Sequence, residues 1–318
     1  MLGLGLSITI GGVITPYYVV VANAFRDRVE ADGGTVESMS CLKKDLMVLN
    51  PVKPTVYKGL LNYYSGAAAA YSLRLLDNTY TGDVISVRNA STGQSTDIGF
   101  ANNELDVAAL ETFCNGADGY VTAWYDQSGN NKHMFQSDAA SQPKIVSSGT
   151  VIKDGNNKPV VEFEETVGQW MEVETSIGLT VNFLLTAVVT PTTNTNTWGV
   201  LLNGATADNR IRLYQNNTGQ VRLSGTIYNY VASLSIGSLN VLSFQRTNTT
   251  SLEAYTNGVQ KLNTTLSSAW SQIINRLGAN HADPPAADHF LSAKVSELIA
   301  WDDTTDRAGV ETNINDFY

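Results

Sequence analysis

From about residue 160 onward the chain alternates short apolar runs with polar turns, and it keeps doing so to its end. Val160-Val-Glu-Phe163, Asn182–Val189, Trp198–Leu202, Arg210–Tyr214, Gln220–Leu223, Asn240–Phe244, Leu252–Tyr255 and Val295–Trp301 all read as strands. Short strands with regular turn signals predict a β-sandwich. Tyr255-Thr-Asn-Gly258 adds a hairpin signal, because Asn-Gly tolerates the positive φ angles of a tight turn. Residues 51–160 mix elements. The alanine-rich run Ala67–Leu76 predicts a buried helix. Val84–Arg88 and Tyr120–Tyr125 predict strands, and Leu105–Phe113 predicts a helix with Asp106 near its start and Gly116 past its end.

The N-terminal part has a different texture. In residues 17–50, Val20, Ala24, Val29 and the Leu42–Leu46–Leu49 series recur near helical spacing. Asp32-Gly33-Gly34 breaks this into two helices, and Pro51 and Pro54 end it. Ahead of it, Leu4, Leu6, Ile8 and Ile10 have period two, as in a strand with one buried face. With no obvious local partner, this arm is expected to dock on a neighbouring chain, since exposed apolar edges rarely stay unpaired. The expected organisation is an N-terminal arm and helical anchor over residues 1–54 and a sandwich domain over 55–318. The latter divides into a preamble with short helices (55–155) and the main sandwich (156–318).

Composition narrows the class. Only 16% of the 318 residues are charged, against about 25% in a typical soluble protein. The net charge of −10 argues against a nucleic-acid partner, which needs clustered Lys and Arg. The two cysteines, Cys41 and Cys114, exclude a disulfide scaffold and a paired-Cys zinc motif. Cys41 sits among Met39, Leu42 and Leu46 and reads as a buried thiol, while a bridge to Cys114 stays open. The apolar start lacks the basic residues of a signal peptide, and no stretch reaches the ~18 apolar residues that a membrane span needs.

Three clusters carry candidate chemistry. Asp126-Gln-Ser-Gly-Asn130 offers hard oxygen ligands for calcium or hydrogen-bonding groups for a sugar; it also reads as an Asx-rich turn bonded to its own backbone. Trp124 and Tyr125 alternate on the preceding strand, so only one of them can face a sugar. Glu162, Glu164, Glu165, Glu172 and Glu174 form the densest acidic group, with Trp170 nearby; period two places Glu162 and Glu164 on one strand face, which reads as a solvated face or as a carboxylate pair for acid/base catalysis. His281, Asp283, Asp288 and His289 surround Pro284-Pro285, a transition-metal set or a polar loop at the sandwich rim. No nucleophile-elbow serine and no Gly-rich phosphate loop occurs.

Phe244-Gln-Arg, Leu252–Gly258, Leu277-Gly-Ala-Asn280 and Phe290–Trp301 resemble the concanavalin A-like, laminin-G-type superfamily. This implies a mainly β, two-sheet jelly-roll sandwich. Ala70-Tyr-Ser-Leu-Arg74, Tyr80-Thr-Gly82, Val87-Arg88, Phe113-Cys114 and Trp124-Tyr-Asp-Gln-Ser-Gly-Asn130 are similar to fungal arabinofuranosidase B catalytic domains. That family is retaining and needs a carboxylate nucleophile and a carboxylic acid. The resemblance implies a nucleophile Glu after a Cys-Cys pair and a Gly-Asn-Ala run, yet Trp198–Asp208 holds neither Cys nor Glu. It implies an acid in a Gly-Gly-Asp-Asn segment, where Leu277-Gly-Ala-Asn-His281 carries Asn280 or His281 instead. Asp208 and Asp283 lie nearby as substitutes. Phe25–Glu37 resembles leader segments of tailed-bacteriophage virion proteins.

These features together lead to the expectation of a non-enzymatic virion component of the capsid-decoration, head-fibre or tail-associated kind. It would be homo-oligomeric and held to other virion proteins by Leu4, Leu6, Ile8 and Ile10. Host-surface glycans would contact Trp124, Tyr125, Asp126, Gln127, Asn130, Asn280, His281 and Asp283, with no cofactor. The alternatives are an arabinofuranosidase-like hydrolase using Asp208 and Asp283, or a secreted bacterial lectin-like adhesin.

Overall fold

The structure, a computed structural model, describes residues 7–10, 13–16, 57–179, 182–193, 199–204, 209–215, 218–223, 226–231, 234–248, 250–266, 272–281, 287–303 and 305–318. The helices expected over 17–50, together with Leu4, Leu6, Cys41, Asp208 and Asp283, lie outside these residues. The chain divides into two units, Met1–Val56 and Tyr57–Tyr318.

In the first unit, Ser7–Ile10 pairs antiparallel with Val13–Pro16, placing Ile8 opposite Thr15 and Ile10 opposite Val13. This corrects the expectation of an arm without a local partner. In sequence, Gly-Gly between two apolar runs is a hairpin signal.

The second unit is built on one continuous antiparallel sheet that folds back on itself, so that two stretches of it face each other as layers across a shared core. In one layer, Phe183–Pro191 lies between Ala293–Trp301 and Asn240–Arg246, and the latter continues to Ser251–Thr256 and Val259–Thr265. Ala293–Trp301 also pairs with Val161–Phe163 and Ala67–Ser72. The other layer runs Ser95–Ile98, Ile85–Asn89, Gly119–Trp124, Met134–Phe135, Met171–Leu179, Gln272–Leu277, Gly199–Asn203, Arg210–Gln215, Thr218–Leu223 and Thr226–Val231. Lys144–Ser147 pairs with both Gly119–Trp124 and Val161–Phe163, joining the layers along one edge. Between the layers, Leu185, Ala187, Leu242, Phe244 and Leu298 share one core with Ile85, Trp124, Met134, Met171, Leu202, Ile211 and Leu277.

Phe183–Pro191 is buried at all nine positions because the first layer is covered on both faces. Leu185, Ala187 and Val189 face the shared core, while Leu184 and Val188 meet a second cluster with Leu60, Leu61, Val310 and Ile314. The helix Arg307–Phe317 supplies the last two, and Asp306 caps it by accepting a hydrogen bond from the Gly309 amide.

Ala67–Leu76 corrects a prediction. Residues Ala67–Ser72 form a strand with Ala70 opposite Ile299 and Tyr71 opposite Leu298. Alanine's helix preference is below about 1 kcal/mol per residue. Ladder hydrogen bonds and near-complete burial of the segment outweigh it. By contrast, Val107–Cys114 is helical, with Asp106 Oδ1 accepting from the Ala109 amide at 2.9 Å and Asn115 left-handed at its end. Asn257 and Gly258 both take positive φ in their hairpin.

Candidate functional site

In an antiparallel sheet, residues paired across strands present their side chains on one face. A single chain of pairings crosses the second layer: Ser86 opposite Ala123, Ala123 opposite Phe135, Phe135 opposite Glu172 and Glu172 opposite Arg276. It continues with Arg276 opposite Asn203, Asn203 opposite Arg210 and Arg210 opposite Arg222. The flanking register positions, Trp124, Met134, Met171, Leu277, Leu202, Ile211 and Val221, enter the core. The row therefore occupies the face away from the core. Four strand spacings separate Phe135 from Arg210, roughly 19 Å.

The centre of this row is polar and buried. Asn203, Arg210, Arg212, Arg276 and Asn280 are all 4% exposed or less. Asn280 Oδ1 accepts from Arg210 Nη1 at 2.8 Å and from Asn203 Nδ2 at 3.2 Å. Asn203 Nδ2 also donates to the Asn209 carbonyl. The Arg276 guanidinium lies 4.4 Å from the Trp170 ring centre, and its Nε is 3.8 Å from a carboxylate oxygen of half-exposed Glu172. At that distance the contact is an ion pair without a hydrogen bond. Buried guanidinium groups are costly unless compensated, and here Asn280, Gln220, Glu172 and the Trp170 ring supply part of that compensation. Their N–H groups and the asparagine amides suit hydroxyl-rich molecules, and their charge favours ionised carboxylates alongside. In sequence, Asp208 stands two residues before Arg210, and Asp283 three residues after Asn280.

The expected binding residues separate into two places. Asn280 lies in the row's centre, and His281 follows it on a short strand paired with Ala287. Trp124 to Asn130 lies elsewhere and knits the fold. Trp124 is fully buried, edge-on to Tyr71. Asp126 Oδ1 accepts from the Ala70 and Ser128 amides, and its Oδ2 accepts from Ser128 Oγ and the Lys132 amide. Gln127 accepts from the Leu76 amide and donates to the Ser72 and Arg74 carbonyls. Asn130 donates to the Ala67 and Ala68 carbonyls. Every Asp126 lone pair so used meets a hydrogen, so calcium has no place there. Tyr125 of this group lines a surface cleft. Its hydroxyl donates to Asp97, and burial together with that carboxylate pushes its pKa up to about 12.

Among the described residues no group of three or more His, Cys, Asp or Glu side chains could hold a metal ion. Cys114 is a buried free thiol whose pKa is raised by burial. The arginine row escaped the sequence reading, although Arg210-Ile-Arg212 and Gln220-Val-Arg222 alternate polar and core residues at period two. That spacing is the same for a solvated face and for a covered one.

Residues 63–178 match the family described as Alpha-L-arabinofuranosidase B, catalytic. The Alpha-L-arabinofuranosidase B of Penicillium canescens is 37% identical over 71 residues, 22% of this chain and 15% of that protein. A probable α-L-arabinofuranosidase B of Aspergillus fumigatus is 35% identical over the same share of this chain. The chain thus spans about one seventh of the length of the curated relatives it matches. A crystal structure of arabinofuranosidase complexed with arabinofuranosyl-α-1,2-xylobiose superposes with a TM-score of 0.57 at 15% identity, over 78% of this chain and 62% of that one. A GH54 α-L-arabinofuranosidase soaked with a cyclic sulfate inhibitor gives 0.59 at 16% identity, with the same coverage. At this identity the likeness carries the fold: a mainly β architecture of packed antiparallel strands. These matches overturn the expectation of a non-enzymatic phage virion component on a particle surface, because they lead to fungal arabinofuranosidases. The leader-like Phe25–Glu37 segment was too short to carry that reading.

Proposed function

We propose that the chain is a glycoside hydrolase of the α-L-arabinofuranosidase kind, working at the centre of the polar row. The observation that carries this is the buried Asn203–Arg210–Asn280 cluster, with Asp208 two residues before Arg210 and Asp283 three residues after Asn280 in sequence, in a fold shared with arabinofuranosidase structures. The family match over residues 63–178 supports it from sequence. The finer expectation of jelly-roll connectivity belongs to the same proposal, supported by the pairing of early Ala67–Ser72 with late Ala293–Trp301.

In the proposed reaction Asp208, two residues before Arg210 in sequence, is the carboxylate nucleophile and Asp283 the acid. Asp208 attacks the anomeric carbon while Asp283 protonates the departing glycosidic oxygen. Asp283 then takes a proton from the water that hydrolyses the glycosyl-enzyme ester, releasing sugar with retained configuration. Asn203, Arg210 and Asn280 hold sugar hydroxyls. The test is hydrolysis of 4-nitrophenyl α-L-arabinofuranoside: turnover by the native chain and a loss of at least 10²-fold in kcat for Asp283→Asn are expected. Turnover undiminished in both Asp208→Asn and Asp283→Asn would overturn the assignment.

A further inference from the structure

The polar row continues past Glu172 onto open surface. Phe135, directly opposite Glu172, is 39% exposed. Its ring meets His133 edge-on at 6.1 Å, and His133 meets Tyr125 edge-on at 5.2 Å, so the imidazole links two rings, Phe135 and Tyr125, that both line one wall. Beside them lies an open cleft of about 400 Å³ whose lining includes Ser86, Arg88, Thr122, Ser137 and Gln142 and no carboxylate.

The polar groups of this cleft are held by their neighbours. Arg88 Nε donates to Gln142 Oε1 at 2.7 Å, Nη2 donates to the Ala139 carbonyl, and the guanidinium lies over the Tyr120 ring. None of these contacts uses Nη1. Gln142 Nε2 donates to the Gln136 carbonyl, and Gln136 Nε2 to that of Trp170, the ring on which Arg276 rests. A run of hydrogen bonds thus connects the cleft lining to Trp170, which contacts Arg276. From Phe135 to Asn203 is three strand spacings, about 14 Å, a span of a few sugar rings.

We infer that this cleft is a distal saccharide subsite, holding a backbone ring of the neutral polysaccharide whose arabinofuranosyl branch reaches the buried centre. The aromatic wall suits the apolar C–H face of a sugar ring, and Arg88 with the hydroxyl and amide groups suits its edge. A neutral chain fits an acidic protein of net charge −10 better than a polyanion does. The identity of the polymer rests on the hydrolase reading; the cleft's affinity for saccharide does not.

Two variants test this, each paired with its thermal midpoint: Phe135→Ala, which removes the stacking ring, and Ser137→Trp, which fills the cleft. Retardation in gels containing soluble arabinoxylan is expected for the native chain and weakened roughly tenfold in both variants, the order of one lost aromatic contact. KM for arabinoxylan should rise by a similar factor, with kcat/KM for 4-nitrophenyl α-L-arabinofuranoside unchanged. Absence of retardation in the native chain, or equal retardation in all three, overturns the subsite. If the aryl glycoside is not turned over, the hydrolase reading fails and the gels alone decide the cleft.

Discussion

Asp126 offers the sharpest separation between a framework and a ligand role for the Trp124–Asn130 motif. The side chain is 2% exposed and accepts four hydrogen bonds, at 2.8 and 2.9 Å on Oδ1 and 2.7 and 3.0 Å on Oδ2. Two of the donors, the amides of Ala70 and Lys132, belong to other segments. In Asp126→Ala both lose their acceptor, and Ala70 is fully buried. A buried unsatisfied donor costs about 1–3 kcal/mol, so a loss of about 3–5 kcal/mol in total is expected, including the Ser128 bonds. In a unit of this size that lowers Tm by on the order of 10 °C. Asp126→Asn keeps the shape but turns an N–H₂ toward donors, and about 2–3 kcal/mol is expected. Guanidinium denaturation at constant m-value measures both. A loss below about 1 kcal/mol in Asp126→Ala, coupled to abolished arabinoxylan binding, would refute the framework role and return the residue to a ligand.

Two further outcomes follow from buried charge and burial of phenols. Glu297 is 1% exposed, accepts from Arg74 Nε at 2.8 Å and from Ser72 Oγ at 2.7 Å, and ties the first strand of the sandwich to the last. Glu297→Gln leaves the Arg74 charge uncompensated and should cost about 3–5 kcal/mol, whereas an Arg74→Met/Glu297→Met double variant should recover much of it; chemical denaturation followed by circular dichroism decides. Burial first, then nearby carboxylates, push Tyr80 and Tyr125 up to about 12. The folded state therefore binds more protons than the unfolded chain between the ordinary tyrosine value near 10 and 12. That stabilisation is complete below pH ~10 and is lost as pH rises through this window, which phenolate absorbance and alkaline unfolding curves will follow.

Alternation and turn signals made many strands legible: Ser251–Thr256 carries the period-two pattern and ends on the Asn257-Gly258 turn, while Asn240–Arg246 is legible as a short, largely buried apolar run between turns. Ala67–Ser72 was not legible, because small residues buried beneath neighbours look like a helix in one dimension and pair only with a strand some 225 residues away. The motif Trp124–Asn130 stood out for the right reason, a dense set of polar side chains, but those groups are spent on the backbone of residues 67–76. The buried centre of the row was half legible. Asn280 was singled out, yet its partners Asn203 and Arg210 come from another strand pair, and cross-strand register is not written in local spacing.

Retaining hydrolysis at that centre dictates which anomer is released first. Proton NMR of 4-nitrophenyl α-L-arabinofuranoside during the first minutes of hydrolysis by the full chain tests it most directly. α-Arabinofuranose is expected first, before mutarotation, and its release is abolished in Asp208→Asn. No turnover, or release of the β-anomer first, would contradict it.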